Sequence, residues 1–224
     1  MIIYGKQVCL HALIEHESAI KTVYIAKKGI LPQKLYDQYK DRIKFLEEKW
    51  AQSMAKGGNH QGLLLEMNEF SQSDLTTMKK NSFVLVLDTL TDTGNIGAIV
   101  RTAYALGVDG IVASGVKSLN FASIIRTSSG ALLDMPFVII PNILDVLNEL
   151  KQVEFHIYGA SMEGIALKEC EFNEKKVLLM GSEGKGISKR AKSKIDTMIK
   201  IEMQREFDSL NVSAAAAIFI DRMR

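Results

Sequence analysis

Polar side chains that could bind or orient a ligand gather in three separated stretches of this 224-residue sequence. In the first, residues 88–103, a polar loop runs from Asp88 to Asn95, and Arg101 follows about two helical turns later. Arg101 lies beside the apolar stripe of Ile96, Val100 and Ala103, where a guanidinium can clamp a phosphate or carboxylate through paired hydrogen bonds. Asn95 alone reads as a helix cap, and Gly97 as a close packing point. The second stretch, residues 177–188, sets Gly181, Gly184 and Gly186 between an apolar run and a helical segment. Glycine there lets the backbone turn sharply and approach a ligand closely. The spacing is neither that of a P-loop, which Gly-Lys-Ser/Thr would close, nor GxGxxG. Glu183 amid the glycines can orient a neighbouring donor or a ligand, and Lys185, Lys189, Arg190, Lys192 and Lys194 follow it. Such a run is a solvated helix face or, beside a site, a surface suited to an RNA backbone. In the third stretch, residues 199–217, Ser209-Leu-Asn-Val-Ser opens an alanine-rich helix. A cap at Asp208 or Ser209 explains where that helix starts, but it leaves Asn211 and Ser213 as a second polar pair.

These loops need strands to hold them. Residues 83–87 are a continuous apolar run ending at Asp88, as expected for a strand buried on both faces. A helix is predicted over 95–106, stopped by Gly107. Strands are predicted near 110–113, 137–140, 155–158, 177–180 and 198–201, with helical segments between several of them and a last helix over 209–222. Alternating strand and helix predicts an α/β domain with a mostly parallel sheet. Ligands bind such sheets where loops leave the carboxyl ends of strands, which is where the three polar stretches fall. Upstream, strands are predicted over 21–26, 42–46 and 62–67, a helix over 32–39, and a glycine-rich turn over 55–62. The polar stretch 71–82 reads as a linker or a short surface helix, separating a domain of residues 1–70 from one of residues 83–224.

Composition excludes several classes. Hydrophobic residues at 47% and charged residues at 24% are ordinary for a soluble globular protein. The longest apolar run, 214–220, is far short of the roughly 18 residues of a membrane span. The start, MIIYGKQVCLH, lacks the pattern of a signal peptide. Cys9 and Cys170 are too far apart to suggest a metal or redox pair, and His11, His16, His60 and His156 show no ligand spacing. The expectation is a cytoplasmic protein with reduced thiols and no metal site. Residues 1–80 carry 12 Lys/Arg and 9 Asp/Glu, and residues 81–224 carry 16 and 17, a mild basic excess at the N-terminal end.

Taken in order, the three loops resemble the signatures of the SpoU family, the RNA ribose methyltransferases of the SPOUT superfamily. The matching segments are Asn95-Ile-Gly-Ala-Ile-Val-Arg-Thr-Ala, Met180-Gly-Ser-Glu-Gly-Lys-Gly and Ser209-Leu-Asn-Val-Ser. Leu119-Asn-Phe-Ala-Ser and Thr127-Ser-Ser-Gly-Ala are similar to the family's sequence after its second catalytic-domain strand. Ile3-Tyr-Gly and His60-Gln-Gly resemble the small RNA-binding domain of the branch that methylates guanosine ribose in large-subunit ribosomal RNA.

The resemblance implies a catalytic α/β domain with a C-terminal trefoil knot, an N-terminal domain of the L30e type, and a homodimer. It implies S-adenosyl-L-methionine as cofactor, lined by Gly181, Gly184, Ile201, Met203 and Leu210. It assigns catalysis to Arg101, supported by Asn95, Glu183, Ser209 and Asn211. The implied substrate is ribosomal RNA, with transfer RNA as the alternative; a non-catalytic RNA-binding assembly factor is the competing class. The sequence departs from the family pattern twice: Thr93-Gly94 and Glu202 stand where proline is usual. Proline stiffens a loop, so its absence at both places bears on cofactor binding.

Overall fold

A computed structural model describes residues 1–205 and 209–224. In chain order, the described residues form β1 (Ile2–Tyr4), α1 (Lys6–Glu15), β2 (Ile20–Ile25), α2 (Gln33–Tyr39), β3 (Ile43–Phe45), α3 (Glu48–Met54) and β4 (Leu63–Met67). Then come α4 (Leu75–Met78), β5 (Phe83–Asp88), α5 (Thr93–Ala105), β6 (Gly110–Ser114), α6 (Phe121–Thr127) and β7 (Phe137–Ile140). The chain closes with α7 (Ile143–Lys151), β8 (His156–Ala166), β9 (Lys176–Gly181), α8 (Lys189–Lys192), β10 (Thr197–Lys200) and α9 (Val212–Met223). They divide into two compact units, Met1–Ser71 with Asn120–Leu133, and Gln72–Leu119 with Asp134–Arg224.

The first unit is built on a four-stranded sheet of order β1-β4-β2-β3, in which β4 runs antiparallel to both neighbours and β3 parallel to β2. Ala51 and Ala55 pack on Leu64 together with Tyr4, Tyr24 and Leu46, so α3 covers one face. Sequence periodicity does not mark α3; its seven residues are too few to set a stripe, and packing holds it. Helix α6 contributes the Arg126 guanidinium, 5.3 Å from the centre of the Tyr4 ring. Cys9 and Cys170 are both free thiols, and burial raises the pKa of each.

The second unit holds a six-stranded sheet of order β10-β8-β9-β5-β6-β7, parallel at every pairing. This is the mostly parallel α/β sheet expected from the sequence. Every residue of β5 is buried, and its valines, Val84 and Val86, pack with Val112, Ile157 and Val177 against Val146, Leu147 and Leu150 of α7. α9 packs on α5 and β9. The chain proceeds outward from β5 through β6 to β7, then returns so that β9 lies on the other side of β5. Chain direction across the sheet therefore reverses between β5 and β9, and Asp88 pairs with Gly181 at their carboxyl ends. Ligand crevices form at such switch points.

Two helix starts differ from expectation. α5 begins at Thr93 and is capped by Asp92, whose Oδ1 accepts from the Asn95 amide at 2.7 Å, so Asn95 is not the cap. α9 begins at Val212 with Asn211 as N-cap, its Oδ1 accepting from the Ser213 amide at 2.9 Å. The helix thus starts later than Ser209, the other expected cap; Asp208 lies outside the described residues. Strand β8 also runs well past Tyr158, to Ala166.

Candidate active site

Each of the three polar loops leaves a strand in the middle of the sheet or returns to it. Asp88 ends β5 fully buried, and its Oδ2 accepts from the Ser188 amide at 2.8 Å, which ties the glycine loop to the neighbouring strand. That loop turns back on itself: Gly186 N donates to Ser182 O at 2.9 Å. A Cβ on Gly181 would lie 2.0 Å from the Gly186 carbonyl carbon, so only glycine permits the approach. Gly184 and Gly186 have positive φ, and nothing lies within 4 Å of a Cβ built on either, leaving empty space beside the loop.

Glu183 stands at the tip of this loop, exposed. Its Oε1 accepts from Asn95 Nδ2 at 3.2 Å and from Asn211 Nδ2 at 3.0 Å. It also accepts from the Val212 amide at 3.4 Å. Asn211 Nδ2 donates in addition to Asn95 Oδ1 at 3.0 Å, closing a ring of three side chains from three separate stretches of the chain. Hydrogen bonds to a carboxylate are about twice as strong as neutral ones, and the first turn of a helix favours negative charge. Asn211 therefore has two tasks, capping α9 through Oδ1 and binding Glu183 through Nδ2.

Beside the cluster lies a cavity of about 530 Å³. Gly181, Glu183, Gly184, Ile201, Met203, Ser209 and Leu210 all line it. Asn95 and Asn211 reach it only through Glu183. Arg101 does not line the cavity; it is exposed on α5, six residues and roughly 9 Å of helix rise beyond Asn95. Both departures from the family pattern have a local account. Thr93 and Gly94 form the first turn of α5 behind the Asp92 cap. Glu202 lies between two lining residues but does not itself line the cavity; it pairs with Lys168 at 2.6 Å, and this partner raises the Lys168 pKa.

One wall was not foreseen from the sequence. Ala160, Ser161, Met162 and Glu163 line the cavity because the β8–β10 pairing skips: Met198 pairs with Gly159, but Ile199 pairs with Ile165. The residues between bow out of the ladder. Gly159 and Gly164 bracket the excursion, and a Cβ on Gly164 would lie 2.3 Å from the Met198 carbonyl oxygen. Glycines inside a strand are the signal that marks such a bulge.

In the first unit, His60 is buried, its Nδ1 accepting from the Gly62 amide at 3.1 Å and its Nε2 lying 3.1 Å from Glu48 Oε1. It shapes a polar cavity of about 310 Å³ with Lys27, Gln52 and Asn59.

An all-parallel sheet with a polar cluster and a cavity of about 530 Å³ at the carboxyl ends of its strands defines an α/β protein with a ligand-sized site there. Residues 82–221 match the SpoU rRNA Methylase family, and residues 2–73 match the RNA 2'-O ribose methyltransferase substrate-binding family. The chain belongs to the SpoU rRNA methylase family and is an RNA 2'-O-methyltransferase. It is 37% identical over 144 residues to a Borreliella burgdorferi protein named "Uncharacterized tRNA/rRNA methyltransferase", a match that spans 63% of each chain. It is 30% identical over 190 residues to the 23S rRNA (guanosine-2'-O-)-methyltransferase RlmB of Neisseria meningitidis, covering 82% of this chain and 76% of that one. Among solved structures, the SpoU methyltransferase AviRb from Streptomyces viridochromogenes, in complex with AdoMet, has the same fold. That match has a TM-score of 0.79 and 20% identity, over 99% of this chain and 88% of the other.

Proposed function

We propose that this chain methylates the ribose 2'-hydroxyl of a guanosine in large-subunit ribosomal RNA. The observation that carries the reading is the meeting of Asn95, Glu183 and Asn211 beside a cavity that Glu183 also lines. The name of the neisserial relative and the match of residues 2–73 to a substrate-binding family support ribosomal RNA over transfer RNA.

The residues present fit S-adenosyl-L-methionine. A volume of about 530 Å³ is within the range of small-molecule sites. Apolar walls from Met180, Ile201, Met203, Leu210 and Phe219 suit an adenine ring and the methylene groups of a methionyl chain, and the empty space beside Gly184 and Gly186 lets a ligand approach the loop closely. When bound, the cofactor supplies a methyl group on a positively charged sulfur. The chain's task is to align the ribose oxygen with that methyl, and alignment of this kind lowers a barrier by roughly 7–11 kcal/mol. The hydroxyl must also lose its proton, and a guanidinium, the conjugate acid of a strong base, has no free lone pair to take it. Arg101 therefore grips the target phosphate or polarises the hydroxyl, while RNA phosphate or solvent takes the proton. Glu183, Asn95, Ser209 and Asn211 orient the ribose and hold the loops around it.

The position of Arg101 away from the cavity lining supports its acting on the site of a partner subunit in a homodimer. Tyr104 on α5 and Ile218 on α9, both large and exposed on helices that pack together, supply an apolar surface for that contact. The chain leaves β10 at one edge of the sheet and returns to Glu183 near its middle as Asn211, a path that supports a C-terminal trefoil knot. The mixed sheet of the first unit supports an L30e-type RNA-binding domain. No helix among the described residues is long and apolar enough to cross a membrane, and we place the protein in the cytoplasm with its RNA.

The test is incubation with radiolabelled S-adenosylmethionine and unmodified ribosomal or transfer RNA, followed by nucleoside analysis. Label on a ribosomal guanosine ribose is expected. Label on transfer RNA overturns the substrate, and no label on either from folded protein overturns the reaction.

A further inference from the structure

Residues 184–194 hold five of the 16 Lys/Arg found in residues 81–224 and none of the 17 Asp/Glu, so the rest of that stretch carries a net charge of −6. Residues 184–194 are thus a local excess of positive charge within an otherwise acidic stretch. Elsewhere in the unit, Lys79, Lys151 and Lys168 are each paired with a carboxylate. Lys185, Lys189, Arg190, Lys192 and Lys194 pair with no carboxylate among the described residues.

The segment is anchored from below. Ile187 and Ala191 are buried in the core with α7. The Ser188 amide is held by buried Asp88, and Ser188 Oγ accepts from the Ala191 amide at 3.3 Å. The cations therefore stand on a fixed base, and Lys185, Lys189, Arg190 and Lys192 are exposed. Lys192 also lines the 530 Å³ cavity, so the basic segment borders the site itself.

We propose that residues 185–194 form a phosphate track that grips the RNA backbone beside the nucleotide being methylated. The inference rests on the RNA-methyltransferase reading and adds to it the surface that brings the strand to the cavity. A nucleic-acid backbone is the partner that fits, because its charges repeat along a line and a segment of five cations with no carboxylate among them displaces its counterions on contact. Backbone contacts of this kind set register and leave sequence choice to other residues.

The test uses the full chain carrying Lys189→Gln, Arg190→Gln and Lys194→Gln, three positions outside the cavity lining. The dissociation constant for unmodified ribosomal RNA is measured from 50 to 300 mM salt, and S-adenosylmethionine binding is measured by calorimetry. Each lost phosphate contact is expected to make the slope of log affinity against log salt shallower by about 0.7–0.9. Cofactor affinity is expected to stay within about twofold, well under the tenfold that 1.4 kcal/mol represents. An unchanged salt slope with intact cofactor binding overturns the track while leaving the function standing. If wild-type protein neither binds nor methylates RNA, the functional reading fails and the track fails with it. Should the triple variant lose cofactor binding, the three single variants are read in the same way, each expected to flatten the slope by one contact.

Discussion

Asn211 caps helix α9 with its amide oxygen and, with its amide nitrogen, holds Glu183 at 3.0 Å. The two tasks can be separated by substitution. Asn211→Ser keeps a capping oxygen and removes the nitrogen, whereas Asn211→Ala removes both. Loss of the cap costs about 1 kcal/mol, which lowers the unfolding midpoint of a chain this size by about 2–4 °C. The serine variant is expected to keep its midpoint and lose methyl transfer; the alanine variant is expected to lose both. Full activity in the serine variant would show that the Glu183–Asn211 bond serves only structure.

Arg101 is exposed on α5 and away from the cavity lining, so its removal should leave cofactor binding intact. Arg101→Ala is expected to reduce methyl transfer by about 100-fold or more, the scale of a lost proton-handling or charge-stabilising group. The check pairs single-turnover transfer with calorimetric cofactor titration. Near-wild-type turnover would remove Arg101 from the mechanism.

Gly181 meets the Gly186 backbone so closely that an added methyl would sit 2.0 Å from a carbonyl carbon. Neighbours made of backbone cannot rotate away, so Gly181→Ala must open the loop, at a cost of about 1–3 kcal/mol. The expected result is weakened S-adenosylmethionine binding together with a lower unfolding midpoint. Wild-type cofactor affinity would mean that the tight turn does not shape the site.

Asp196 links α7 to the start of β10, with Oδ1 on Lys151 and Oδ2 accepting from the Ile157 amide at 2.9 Å. Burial works against its charge, but the bonds from Lys151 and Ile157 outweigh it and hold the carboxyl below its ordinary pKa. A group depressed on folding stabilises the fold above its unfolded pKa, about 3.9, and loses that contribution as pH falls through the folded value. Asp196→Asn is therefore expected to lower the unfolding midpoint at pH 7, with the gap from wild type closing below about pH 4. A gap that stays constant down to pH 3 would show that charge plays no part.

How much of this was readable beforehand depended on how local each signal was. The apolar run of 83–87 with Asp88 at its end could only be a buried strand, and β5 is buried along its whole length. The strands over 110–113, 137–140 and 177–180 were marked by similar runs and lie side by side with β5 as β6, β7 and β9. Helix starts were less legible. Asp92, Asn95, Ser209 and Asn211 are all good capping residues, and only hydrogen bonding shows that Asp92 and Asn211 do the capping. Thr93-Gly94, which stands where proline is usual, forms the first turn of a capped helix.

The sequence by itself determined the alternation of strand and helix, the parallel sheet and the three loops that carry polar chemistry, because apolar periodicity and glycine placement act over a few residues. Only the tertiary structure decided that Asn95, Glu183 and Asn211 share one carboxylate oxygen, since that meeting depends on β9 lying against β5. It also decided that Ala160, Ser161, Met162 and Glu163 form a wall of the cavity, because the excursion arises from the register of β8 against β10. Strand order and register are set by packing between distant segments, and no window of sequence contains both partners.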